Sequence, residues 1–264
     1  MGWVIAGLVF IAIGVVLFFV HRNERQKAFS IRSAELMTTA ELSHLSGEIA
    51  REIGGGSWRD YVKVTGVIEC DRPLISELRQ EPCVYYTMTV KREYEESVTE
   101  KDSSGKTRTE TRRGSEVVAS NQQSVPFWLR DPQGAIEVNP DGANIETVKV
   151  LDEFRPEQAI GGTISFGQFS RQVGFGDRRR TIGYRYTESI LPLQRRIFVL
   201  GAVSDSGQQL TLLKPTEAGK RFIISLKSEE ELTRSADQSA QNGMYAMIAC
   251  GAIGVILLVI GILQ

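Results

Sequence analysis

Residues 244–263 read MYAMIACGAIGVILLVIGIL, twenty positions without one charged side chain. As a helix rising ~1.5 Å per residue the run is about 30 Å long, the thickness of the hydrocarbon core of a bilayer. A helix buried in a soluble protein still needs a polar face, and this run offers none, so it reads as a membrane span. The opposite end of the chain repeats the pattern. Residues 3–20, WVIAGLVFIAIGVVLFFV, are again free of charge, and as a helix they reach about 27 Å. A cleaved secretory signal would place Lys or Arg before the apolar run and a small-x-small site after it. Here no basic residue precedes the run, and His21, Arg22, Arg25 and Lys27 follow it. Trp3 and Tyr245 lie near the ends of the runs, where amphipathic rings favour the headgroup layer.

All 31 basic and 32 acidic residues fall between these ends, none in 1–20 and none in 243–264, and the net charge is −1. The balance excludes a polybasic nucleic-acid binder and an acidic disordered tail, and no nucleic-acid partner is expected. The organisation follows: a transmembrane helix over 1–21, a membrane-proximal helical segment over 22–56, a β-rich domain over 57–242 and a second transmembrane helix over 243–264. Basic residues within about twenty positions of the spans decide orientation. Arg22, Arg25, Lys27, Arg32, Lys227 and Arg234 all lie on the central side. An integral two-pass protein with a cytoplasmic central domain and both termini outside is expected. Ala246, Cys250 and Gly254 recur every four residues; they would admit a close helix neighbour, including one from a second copy, or else face lipid.

Inside the spans, Thr38-Thr39-Ala40-Glu41 has the form of a capping box. Leu42, Leu45, Ile49 and Ile53 follow as one apolar stripe, and Gly54-Gly55-Gly56 closes the helix. Then the period becomes two. Val62, Val64 and Ile68 alternate with Lys63, Thr65 and Glu69, and Val84, Tyr86, Met88 and Val90 alternate with Tyr85, Thr87 and Thr89. Further strands are predicted at 115–119, 125–129, 135–138, 147–151, 181–187, 196–203, 210–213 and 221–226. Turn chemistry stands between them at 131–134, 140–142 and 205–207. The fold class is a mainly β (α+β) domain with a membrane-proximal helix, flanked by two transmembrane helices. Residues 91–116 carry 14 charges in 26 positions around Asp102-Ser103-Ser104-Gly105; they read as a solvated β-ribbon, with a partner-binding arm as the sharper alternative. Arg178-Arg179-Arg180 and Arg195-Arg196 are basic clusters that headgroups would attract, but Asp177 and Glu188 stand beside them.

Catalytic motifs are missing: no phosphate-binding loop, no G-x-S-x-G, no H-E-x-x-H and no paired C-x-x-C. The three cysteines and two histidines are Cys70, Cys83, Cys250, His21 and His44. Both histidines belong to the helical segment near the membrane, away from Cys70 and Cys83, so no Cys–His nucleophile is expected. Cys70 and Cys83 flank the connection between two strands; they would be buried thiols in a cytoplasmic domain and could pair outside it. No cofactor, metal site or catalytic residue is expected.

Residues 66–74 (GVIECDRPL), 82–86 (PCVYY), 125–131 (VPFWLRD), Gly134, Gly201 and 222–225 (FIIS) resemble the GIDE, or beside-a-membrane, domain of the MULAN/MAPL-type membrane E3 ubiquitin ligases. The resemblance extends over the chain, spans included. It implies a membrane-flanked β module, and in the family's ligases a RING finger after the second span holds two zinc ions and binds the E2 enzyme. Two tetrahedral sites need eight Cys/His ligands, and the five present fall short. Ubiquitin transfer by this polypeptide alone is therefore not expected; the alternative is a ligase family member acting with a separate RING partner. The resemblance also implies a domain in the intermembrane space, opposite to the charge-based orientation. The leading reading is a non-catalytic domain that binds a protein or lipid partner at the membrane surface. Pro82, Tyr85, Tyr86, Pro126, Phe127, Trp128 and Asp131 are the candidate interaction positions, with Phe127 and Trp128 as core residues or a surface aromatic pair and Asp131 as the start of a turn.

Overall fold

A computed structural model describes residues 2–56, 58–101, 107–156, 163–173, 179–205 and 209–263. The turn at 102–105, Ser206, Gly207, Asp177 and Arg178 lie outside the described residues, as do the side chains of Trp3 and Ile53.

The chain opens with α1 (Gly2–Ser33), β1 (Glu35–Leu36) and α2 (Thr39–Ile53). β2 (Arg59–Glu69), β3 (Leu74–Ile75), β4 (Pro82–Lys101) and β5 (Thr107–Ser124) follow. Then come β6 (Phe127–Asp131), β7 (Gly134–Val138), β8 (Asn144–Ile145), β9 (Val148–Pro156), β10 (Thr163–Phe166) and β11 (Phe169–Gln172). The chain closes with β12 (Arg180–Pro192), β13 (Arg196–Ser204), β14 (Thr211–Leu213), β15 (Ile223–Ser225) and α3 (Glu229–Leu263). The central domain is mainly β, and the first and last helices are long and apolar enough to cross a membrane.

Both of those helices run past their apolar segments. Residues 21–33 contain no Gly or Pro, so nothing stops α1 at the end of its apolar run. At the other end Ser228 caps α3: its hydroxyl accepts from the Glu231 amide at 3.2 Å, and the Glu231 carboxylate accepts from the Ser228 amide at 3.1 Å. Glu229, Glu230 and Glu231 sit in the first turn, where the helix dipole favours negative charge. The two helices pack along each other as a stalk. A Cβ at Gly254 would stand 2.9 Å from Ile11 Cγ1 and 3.2 Å from the Gly7 carbonyl oxygen, and one at Gly7 would meet Leu258 at 2.8 Å. Gly254 thus serves contact within the chain. Ala246 and Cys250 are half-buried beside it.

Five strands close into a ring: β2 pairs with β6, β6 with β7, β7 with β14, β14 with β13, and β13 with β2. All these pairings are antiparallel except β7 with β14. Taken in chain order as first to fifth, the ring strands neighbour one another 1-2-3-5-4-1, the Greek-key order of an OB-type barrel. Val62, Val64, Ile68, Phe127, Leu129, Ile136, Val199 and Leu212 fill it, and Leu42 of α2 joins the same core. The connections between ring strands one and two, and between three and four, build a second sheet from β3, β4, β5, β9 and β12. Its core contains Met88, Val90, Leu151, Tyr184, Tyr186 and Ile190, covered by Phe166 and Phe169 of the β10–β11 hairpin.

Period two correctly put Lys63 opposite the barrel core, but that face is not solvated. Tyr61 of β2, Phe198 and Leu200 of β13, and Ile223 pack there against Ile31, Ala34 and Leu232 from the stalk; each large side chain so buried contributes roughly 1.5–3 kcal/mol. Lys63, 8% exposed, lies in this junction. Its ammonium donates to the Ile31 carbonyl in the last turn of α1 at 3.2 Å and to the Glu229 carboxylate at the start of α3. Lys63→Met should lower unfolding free energy by about 2–3 kcal/mol, somewhat under the 3–5 of a fully buried pair, because Glu229 keeps 33% exposure. Denaturant titration of the detergent-solubilised chain checks this; a loss under ~0.5 kcal/mol would remove the junction from the stability argument.

Candidate interaction face

The seven candidate positions do not form one surface. Phe127 points into the barrel at 1% exposure, while Tyr86 at 4% belongs to the core of the second sheet. The Tyr86 hydroxyl accepts from Asn121 Nδ2 at 3.1 Å, and burial raises its pKa, with Glu77 adding to the effect. Trp128, next along β6, faces out of the barrel and is half-buried, opposite Glu69 and Glu137 on the neighbouring strands. A surface pair Phe127–Trp128 is thereby excluded, since consecutive strand residues face opposite ways. Tyr85 is half-buried against the barrel core. Pro82 and Pro126 alone of the seven are exposed, the first at the start of β4 and the second just ahead of β6.

Asp131 begins the turn between β6 and β7 and does more. Its carboxylate accepts from the Gln133 and Gly134 amides at 2.8 and 2.9 Å, closing the turn. It also accepts from the Thr39 amide and hydroxyl, both at 2.7 Å. Thr39 is the first residue of α2, whose cap is the expected box: Thr38 Oγ1 accepts from the Glu41 amide and Glu41 accepts from the Thr38 amide. Asp131 therefore latches α2 to the barrel. Burial works against its ionisation, but the donors from Thr39, Gln133 and Gly134 outweigh this and hold its carboxyl below the ordinary 3.8.

Two further charges were not among the candidates and prove to be internal. Glu188, 1% exposed, accepts from Ser76 Oγ at 2.9 Å and from the Leu78 and Arg79 amides at 2.7 and 2.8 Å. It folds the 76–81 turn onto β12 and does not offset the basic residues at 195 and 196. Arg92, 1% exposed, donates to Thr181 Oγ1 at 2.7 Å, Glu116 at 2.9 Å and the Arg179 carbonyl at 2.9 Å, tying β4, β5 and β12 together. Both are hidden from sequence reading, because burial of a charge follows from long-range pairing. The one available cue was their place in alternating strands.

The cysteines are free thiols. Cys70 is half-buried and its sulfur lies 3.7 Å from the Pro126 carbonyl oxygen, so the pair is not two buried thiols. Cys83 is fully buried; burial, then the negative charge of Glu188, pushes its pKa up to about 11. Among the described residues no group of three or more His, Cys, Asp and Glu side chains could hold a metal ion.

Fold and site together define a small β-barrel domain, elaborated by a second sheet and carried by both chain ends on apolar helices. Residues 95–261 match the GIDE family, described as an E3 ubiquitin ligase. The match covers more than half of the chain, and the chain belongs to the GIDE family. It takes in the 125–131 and 222–225 motifs and begins after those at 66–74 and 82–86. No curated protein and no solved structure matches the chain.

Two outcomes test these assignments. A carboxyl whose folded pKa lies below its unfolded one contributes stability that is complete above the unfolded value and is lost as pH falls through the folded value. Asp131→Asn should therefore be less stable than wild type at pH 7, and the gap should narrow below pH 3.8; a gap constant down to about pH 2 would contradict the latch. Iodoacetamide at pH 8, where about one Cys83 thiol in a thousand is ionised, should label Cys70 in the folded chain and reach Cys83 only on unfolding, as read by peptide mass spectrometry. Equal labelling rates would contradict the burial.

Proposed function

We propose that this GIDE-family chain is a two-pass membrane protein that presents its β domain for partner binding without catalysing a reaction, on the cytoplasmic side and with both ends of the chain outside. The supporting observation is the ribbon. β12 leaves β4 at the Arg180–Glu95 pair, yet β4 and β5 continue together to the Lys101–Thr107 pair. An isolated two-stranded ribbon is marginal in water, and this one is laced by charge, as in the Arg113–Glu95 bridge at 3.0 Å. The far edge of β5 pairs with no strand along its 18 residues among the described ones. Such an edge offers backbone groups to an added strand, the mode in which main-chain hydrogen bonds supply affinity and alternate side chains supply choice. Charge on the ribbon keeps the edge from joining unselectively.

The flanking Arg22, Arg25, Lys27, Arg32, Lys227 and Arg234 support the orientation. The family description favours a second reading, in which the chain serves ubiquitin transfer as the docking part and a separate RING protein binds the E2 enzyme.

A photo-crosslinking amino acid at exposed Thr109 in the full chain in its native membrane should capture a discrete protein partner that the same group at exposed Pro132 does not. Equal, diffuse capture from both positions would refute the ribbon as the binding arm. Alkaline phosphatase fused after Gln264 should be active and a cytoplasmic fluorescent reporter there dark; the reverse would overturn the orientation. Incubated with E1 and E2 enzymes, the chain alone should build no ubiquitin chains, and chains formed by it alone would overturn the non-catalytic reading.

A further inference from the structure

The stalk holds a groove that the β domain does not use. Where α1 and α3 leave the apolar segments, Phe18, His21, Arg22, Arg25, Phe29 and Met244 open onto a cavity of about 910 Å³. Phe18, Arg22, Arg25 and Phe29 are four, three and four residues apart and so lie on one face of α1. At the outer end Arg32 is held by Asp237 at 2.5 Å. Among the described residues Asp237 is the only carboxylate lining the groove, and it is already paired. Arg22 and Arg25 have no acidic partner among the described residues, whereas Arg92, Arg113, Arg130, Arg155 and Arg185 of the β domain are all paired.

Position along the helix says what fits there. Val20 ends the charge-free run, so Arg22 stands ~3 Å and Arg25 ~7.5 Å beyond it along the axis. The headgroup layer on each side of a bilayer is roughly 5–7.5 Å deep, which puts Arg22 within that layer and Arg25 at its outer edge, the two flanking the level of the lipid phosphates. Phe18 lies one turn lower, against the acyl chains, with Met244 across the groove. The order from membrane to solvent is apolar wall, two neighbouring positive charges, then the aromatic Phe29, 73% exposed. A two-fold contact between copies of the chain through this face would set Arg22 and Arg25 against their own equivalents, a like-charge juxtaposition that disfavours it.

We propose that the groove binds one anionic phospholipid, its phosphate between Arg22 and Arg25 and the head of an acyl chain along Phe18 and Met244. The inference rests on reading residues 3–20 and 244–263 as membrane spans and names a lipid partner for the stalk. Arginine bonds phosphate through its planar fork, and a basic side chain near an anionic surface contributes about fivefold to binding.

The test uses the full chain, delipidated in a neutral detergent and offered equimolar phosphatidylglycerol and phosphatidylcholine, with retained lipid counted by native mass spectrometry. Wild type should retain phosphatidylglycerol with a preference on the order of 25-fold, two arginines at fivefold each. Arg22→Gln/Arg25→Gln should bring the two lipids near parity at an unchanged unfolding midpoint. Arg22→Lys/Arg25→Lys should keep most of the preference, and Arg234→Gln, outside the groove, all of it. Parity in wild type, or a preference that survives the double Gln variant, would overturn the proposal. So would displacement of the lipid by millimolar glycerol phosphate, which marks a site for a soluble phosphate, or a dimer in place of the lipid adduct. Extraction of the membrane-bound chain with alkaline carbonate separates the two layers: a resistant chain without headgroup preference defeats the groove alone, and an extractable chain defeats the spans and the groove together.

Discussion

One ammonium group joins the two long apolar helices of this protein to its β domain. Lys63 reaches from the outer face of the barrel to the last turn of one stalk helix and the first turn of the other. The carbonyl end of α1 carries the negative pole of its dipole and the amide end of α3 the positive pole. A cation directed at the Ile31 carbonyl therefore suits α1 directly, and Glu229 suits α3. The apolar cluster around Tyr61, Phe198 and Leu232 excludes water from the same place and makes that electrostatic arrangement count for more. Because both helices meet the barrel at this junction, both chain ends leave the domain in one direction and pack against each other through Gly7 and Gly254.

From that fixed base the rest of the domain grows outward. The barrel uses short strands and spends its two long connections on a second sheet. Buried charges define where that sheet turns and where it is stitched: Glu188 gathers the 76–81 turn, and Arg92 binds three strands at the root of the ribbon. Each is buried with its hydrogen-bond partners in place, so neither carries the cost of an uncompensated internal charge. Beyond Arg92 the ribbon extends with a β5 edge that pairs with no strand among the described residues, so the part of the second sheet with fewest neighbours is anchored at its base.

The elements set by local chemistry were legible in the sequence. Charge-free termini announced the two apolar helices, Thr38 and Glu41 form the cap their spacing predicted, and alternation located β2 and β4. Long-range facts were not. Barrel closure pairs β2 with β13 across more than a hundred residues, and no periodicity encodes it. Alternation put Lys63 on the face away from the barrel core, but it names the face and not what covers it. Trp128 and Phe127 looked alike by composition, and the pleat separated them. The helices run beyond the charge-free stretches for a related reason: polarity marks where an apolar run stops, whereas α1 and α3 stop only where a cap or a tertiary contact stops them.

The central claim is that the barrel sits on its two-helix stalk in one fixed attitude, held by the Lys63 junction. The most direct measurement is the distance distribution between spin labels, carried on unnatural amino acids, at exposed Gln133 in the β6–β7 turn and exposed Gln238 on α3, in the full chain in a bilayer. The account predicts a single narrow distribution that broadens when Lys63 is replaced by Met. A broad or multiple distribution in the wild-type chain would contradict it.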